Sequence, residues 1–177
     1  MYLIAHEGYS LLAAEIVSYG IYLIKKRVQK NGFAWNKWGW LNFSVITLLI
    51  AAVGPDIIDK SISYSITGHS RYIAHSLMFD LIICGFIVLI FRKKPKIWRA
   101  FIFGWQMHIL LDVKGFMPWF YPFKTYNFPI RTQSFITSLF TPYNYINEIF
   151  GFIALVFVII IYYKRGFLRF PSLANKC

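Results

Sequence analysis

Five apolar stretches, at about 3–24, 39–56, 75–91, 97–113 and 146–163, constrain this chain more than any other feature. Each is as long, or nearly as long, as the roughly 17–25 helical residues needed to cross a hydrocarbon core. LMFDLIICGFIVLIF and FGFIALVFVIIIYY are the clearest; the first and fourth stretches carry polar residues. Composition agrees with spans rather than buried core helices. Of 177 residues, 58% are hydrophobic and 20% aromatic, and only 15% are charged, against about 25% in soluble domains. The first stretch lacks a basic leader region and a small-residue cleavage site, which predicts a retained span rather than a removable signal peptide. The expected fold is all-α: a polytopic membrane helical bundle of about five transmembrane helices, one domain over 1–177, with an outer loop at 114–145 and a tail at 164–177.

The formal charge of +12 invites a nucleic-acid reading, but the placement of the charges argues for topology instead. Fourteen of the nineteen Lys and Arg residues fall in three stretches that five spans would put on one side: 25–37, 92–99 and 164–176. The positive-inside rule then places the N-terminus outside and the C-terminus in the cytoplasm, and no nucleic-acid partner is expected. Cys84 lies within a span and Cys177 ends the tail, so a disulfide between them is not expected, and neither has CxxC spacing.

Acids and histidines follow the opposite distribution. All four histidines (His6, His69, His75, His108) and six of seven acids (Glu7, Asp56, Asp59, Asp80, Asp112, Glu148) lie at or near the expected outer ends of spans; Glu15 alone is mid-span. Ionisable groups there are costly and usually face a partner, a cavity or a metal. Asp56 and Asp59 are three apart and share a helix face; their like charges call for a cation between them or neutralisation by Lys60, unless they simply cap a polar helix end. His108 and Asp112, four apart, form a common two-ligand pair for a metal. His75 opens the third span, and His6 lies near the N-terminus. Asp80 is about 140° round the helix from His75 and is left outside the site. Glu148 reads equally as an acid favoured by a helix dipole. Taken together, His6, Asp56, Asp59, His75, His108 and Asp112 make an N/O ligand set suited to divalent zinc, manganese or iron. Six ligands exceed one tetrahedral site, so two or more metals are expected, an arrangement that often serves phosphoester hydrolysis.

The run GPDIIDK, then SRYIAHSL, then GWQMHILLD and a Pro/Trp-rich stretch MPWFYPF resembles the YdjM-like family of membrane-bound, metal-dependent hydrolases, itself distantly similar to zinc-dependent phospholipase C and P1 nuclease. The resemblance covers roughly 1–125. It implies that His6, Asp56, Asp59, His75, His108 and Asp112 occupy ligand positions and that Arg71 matches the family arginine. Where some relatives carry histidine this chain has Ser70, with His69 one place earlier, and Glu148 is the only later acid to complete a three-metal cluster.

The outer segment 114–145 holds four of the seven prolines and eleven aromatics, a composition suited to the headgroup region. Within it RTQSFITSLF reads as a short interfacial helix, either anchoring the loop or presenting an amphipathic substrate. The expected function is a membrane hydrolase cleaving a phosphoester of a lipid or lipid-linked substrate at the outer face through a metal-activated water. Asp56 or Asp59 would serve as general base and Arg71 would stabilise developing charge. Two rival readings are a metal-ion transporter or sensor, and a non-catalytic scaffold stabilised by metal.

Overall fold

The computed structural model describes residues 3–28, 44–63, 71–113, 116–127 and 141–164. His69, Ser70, the stretch 131–140 and the tail beyond 164 lie outside the described residues. Among the described residues five α-helices carry the fold: α1 (Leu3–Val28), α2 (Val45–Ile58), α3 (Leu77–Ile90), α4 (Pro95–Asp112) and α5 (Pro142–Lys164). A single π-helical turn, Asp59–Ser63, continues α2. The described residues contain no strand.

Local chemistry sets several of these boundaries. Ser44 caps α2: its Oγ accepts from the Thr47 N–H, satisfying one of the donors a helix start leaves open. Its own N–H donates to the Lys96 carbonyl at 3.1 Å, tying α2 to the start of α4. Ser76 caps α3 in the same way through the Phe79 N–H. That cap starts α3 at Leu77 and leaves His75, expected to open the third span, in the turn just before it. Pro95 opens α4, where its missing N–H costs nothing.

Packing pairs α2 with α4 and α1 with α5, and small residues permit both contacts. A methyl on Gly8 would strike the Gly151 backbone, and one on Gly104 would meet the Leu48 carbonyl oxygen at 2.5 Å. Leu11, Ala14, Leu48, Ala100 and Val158 form one buried cluster across α1, α2, α4 and α5. Ala51, Ala74, Trp105, Ile109 and Met117 form a second beneath the loop before α3.

The distribution of side chains is the reverse of a soluble bundle's. In α3 the one buried residue is Asp80, while Leu81, Ile82, Phe86 and Leu89 are exposed. In α5 Gly151, Ala154 and Val158 face inward, while Phe150, Phe152, Phe157 and Ile160 face out. Water penalises so large an apolar surface; a bilayer accepts it, and small inward residues are its usual packing device. By length and apolarity together, Pro142–Lys164 is the one described helix able to cross a membrane by itself. α2 and α3, with 14 residues each, reach only about 21 Å at 1.5 Å per residue.

Candidate metal centre

Four chain segments meet at one end of the bundle: the start of α1, the end of α2 with its π turn, the turn before α3, and the end of α4. They bring together all seven residues singled out by the sequence. His6, Asp59, His75 and His108 are completely buried, and Asp56 and Asp112 nearly so. One ligand atom from each of Asp56, His75, His108 and Asp112 lies within 4.8 Å of the other three, so this buried cluster can hold a metal ion.

Each imidazole is fixed from behind. His108 Nδ1 lies 2.7 Å from the Ala52 carbonyl oxygen. A carbonyl only accepts, so Nδ1 carries the proton and Nε2 presents a lone pair. Pro55 lies inside α2 at this level; its missing N–H leaves the Ala51 carbonyl without its usual helical donor and loosens the ladder there. His75 Nδ1 lies 2.6 Å from Asp59 Oδ2, and an ionised carboxylate also only accepts. The same Asp59 accepts from the backbone N–H of Tyr72 at 2.6 Å and of Ala74 at 2.9 Å. Asp59 therefore stands behind His75, orienting it, instead of lining the centre with Asp56. A carboxylate supporting a ligating histidine in this manner is common at metal sites.

With both tautomers set, the two Nε2 lone pairs face each other at 3.2 Å. Two acceptors so close and so buried require a positive charge between them. A shared proton would satisfy the imidazoles alone, but two carboxylates complete the group. Asp112 Oδ2 is 3.6 Å from His75 Nε2 and 3.8 Å from His108 Nε2, and Asp56 Oδ1 is 3.9 Å from each. Zinc bonds of about 2.0–2.2 Å place the ligand atoms of one tetrahedron about 3.3–3.6 Å apart. Five of the six spacings among these atoms are 3.2–3.9 Å and all lie within 4.8 Å, close to that value, and the donor set fits a divalent cation.

His6 lies against this group. Its ring stacks on His108 with centroids 4.1 Å apart, and Nε2 is 3.5 Å from Asp112 Oδ1. That separation permits charge attraction, but the alignment does not make a hydrogen bond: both His6 nitrogens are buried without a hydrogen-bond partner. Buried polar atoms are seldom left so, and an imidazole in this position is a candidate for a further ligand. Two cations complete the rim. Arg71 Nη2 is 2.8 Å from Asp112 Oδ2, and Lys60 pairs with Asp56 Oδ2, the neutralisation that the Asp56–Asp59 spacing called for.

The acids set apart from the site have other partners. Both Asp80 oxygens accept from Gln106 Nε2, at 2.7 and 2.9 Å, and Oδ1 also accepts from Cys84 Sγ, joining α3 to α4. Glu148 accepts from the Ala5 N–H at 3.3 Å, so the dipole it meets is that of α1 and not of its own helix. Sequence reasoning missed the Ala52 carbonyl behind His108, which has no signature in the sequence, since Pro55 withholds its N–H from Ala51 and not from Ala52. It also missed the Tyr72–Tyr121 hydroxyl pair at 2.6 Å, which joins the loop before α3 to the segment after α4 and has no local signature.

An all-helical protein with an apolar exterior and a His/Asp cluster buried at one end belongs among membrane proteins with a candidate metal centre. The chain is a member of the YdjM inner membrane protein family, whose match covers residues 19–170. No curated protein and no solved structure matches it.

Proposed function

We infer that the protein is an integral-membrane, metal-dependent hydrolase acting on a phosphoester of a lipid or lipid-linked substrate, with its site on the outer face of a five-span bundle. The buried convergence of one ligand atom from each of Asp56, His75, His108 and Asp112, with the two Nε2 atoms 3.2 Å apart, is the observation that carries this reading. The topology is supported by the ends of the bundle. Arg92, Lys93 and Lys94 between α3 and α4, and Lys96 in the first turn of α4, are exposed, at the opposite end of α4 from His108 and Asp112, as the positive-inside rule requires of an outward-facing site.

His75, His108, Asp56 and Asp112 would hold one divalent ion, zinc by donor type with manganese or iron as alternatives. His6 and the second Asp112 oxygen are the groups available to a further ion. Such an ion supplies Lewis acidity and brings a coordinated water's pKa towards neutrality. The remaining roles belong to side chains. Asp59 keeps the proton on His75 Nδ1, and Arg71 offsets charge on the phosphate oxygens as the water oxygen joins phosphorus and the ester P–O bond breaks, the water's proton passing to the departing alkoxide oxygen.

The direct test combines metal analysis with phosphodiesterase assays on purified wild type and His108→Ala. Wild type should carry a divalent metal and show turnover that chelation abolishes; His108→Ala should lose both. Wild-type protein without metal or metal-dependent turnover would overturn the reading. One feature favours metal-ion transport as a second reading: Glu15, Ser18 and Tyr162 help line a small cavity among α1, α2 and α5. Metal uptake into liposomes without hydrolysis would select it.

A further inference from the structure

The rim of the His/Asp cluster is cationic. Lys60 and Arg71 each grip a carboxylate of the cluster, and each remains partly exposed, 36% for the Lys60 side chain and 22% for that of Arg71. Lys60 holds Asp56 through Oδ2, whereas Oδ1 is the oxygen nearest the imidazoles. Counted with neutral imidazoles, the three carboxylates Asp56, Asp59 and Asp112 outweigh these two cations by one charge; one divalent ion reverses the sign. The site then favours an anion. A guanidinium offers five N–H donors in a planar fork and an ammonium offers three, so each can keep its carboxylate and still receive a phosphate oxygen.

The neighbouring loop has a different character. Residues 116–127 are fastened beside Arg71 by the Tyr72–Tyr121 hydroxyl bond and by the Leu77 N–H donating to the Trp119 carbonyl at 2.9 Å. Their outer edge exposes Phe120 by 59% and Phe123 by 78%, next to Lys124. Aromatic rings flanked by lysine suit the boundary between headgroups and acyl chains.

We propose that Lys60 and Arg71 form a clamp for the phosphate group of an anionic amphiphile, whose hydrocarbon rests on Phe120 and Phe123. The inference rests on the metal-hydrolase reading and assigns Lys60 as a substrate-binding residue of that site. Calorimetry with inorganic phosphate on the full-length, zinc-loaded protein tests the clamp, with metal content measured on each sample. In Lys60→Gln, phosphate affinity should fall about tenfold or more, the scale of a lost charged hydrogen bond, at unchanged zinc content; Lys60→Arg should recover much of it. Unchanged phosphate affinity in Lys60→Gln, or a Lys60→Arg variant as weak as Lys60→Gln, overturns the clamp. Wild type that holds no zinc overturns the hydrolase reading instead. A second arm uses short-chain phosphatidic acid. The double variant Phe120→Ser/Phe123→Ser should bind inorganic phosphate as wild type does and bind the lipid about tenfold more weakly. Equal weakening for both ligands, or for neither, overturns the assignment of the hydrocarbon to this loop.

Discussion

Asp59 shows how one carboxylate can govern a site without facing its centre. Its oxygens accept from the His75 imidazole and from two backbone N–H groups of the same turn, so it fixes both the tautomer and the position of that ring. Asp59→Asn retains the size of the side chain but replaces one acceptor oxygen with a donor amide, which opposes either the Ala74 N–H or the N–H groups of His75 and Tyr72. Metal affinity should fall about 10–100-fold, the usual effect of losing a supporting partner, as measured by competition with a chromogenic chelator. Affinity equal to wild type would show that His75 does not depend on this support. The four-residue interval between His108 and Asp112 made their shared face legible in the sequence, because nothing interrupts α4 between them. The three-residue interval between Asp56 and Asp59 was less informative. Asp59 is where α2 gives way to the π turn, and its carboxylate reaches the far side of His75. No spacing rule distinguishes a ligand from the group that orients one.

Among the helices, α1 and α5 depend on the absence of side chains where they cross. Gly8 and Gly151 stand almost backbone to backbone, with Ala5 beside them, and the same stretch of α1 carries His6. Gly8→Leu should therefore destabilise the fold by about 1–3 kcal/mol, the usual range for overpacking, and shift His6 from its stack on His108. A thermal-unfolding series in detergent would measure this, with Gly20→Ala as its control. A methyl at Gly20 meets nothing within 4 Å, so this change should be neutral or gain up to about 1 kcal/mol in helix propensity. Equal effects of the two substitutions would contradict the close crossing. The apolar runs made the helices themselves legible, since apolarity extended over a dozen or more residues is a strong signal. The helix ends were harder to locate. α3 starts at Leu77 because Ser76 caps it, and a serine inside an apolar run does not announce which backbone N–H it will satisfy. The pairing of α1 with α5 was not legible at all, because glycines at a crossing carry no mark of their partner.

For the whole molecule, the buried cluster, which could hold a metal ion, would tie stability to metal binding, and its place at one end of the bundle bears on orientation. Removing a cation from four converging ligands leaves two buried acceptors opposed at 3.2 Å, so chelation should lower the melting temperature of wild type. Restoring metal at 100 times its Kd should return about 2.7 kcal/mol, and His108→Ala should show no such response. Orientation follows from the two ends of α4. Its N-terminal end adjoins the exposed cluster Arg92–Lys96, and its C-terminal end carries His108 and Asp112. Basic loops are retained on the cytoplasmic side, so the cluster end should face outward together with Phe123, which is exposed on the loop beyond it. In a chain whose two cysteines are replaced, Phe123→Cys should react with an impermeant maleimide on intact cells, whereas Lys93→Cys should react only after permeabilisation. The reverse pattern would place the metal centre in the cytoplasm, where it would meet inner-leaflet or soluble phosphates instead of outer-leaflet lipid. The local chemistry of the cluster would be unchanged by that result, because it depends on the convergence of α1, α2 and α4 with the turn before α3, and not on which side of the bilayer they converge.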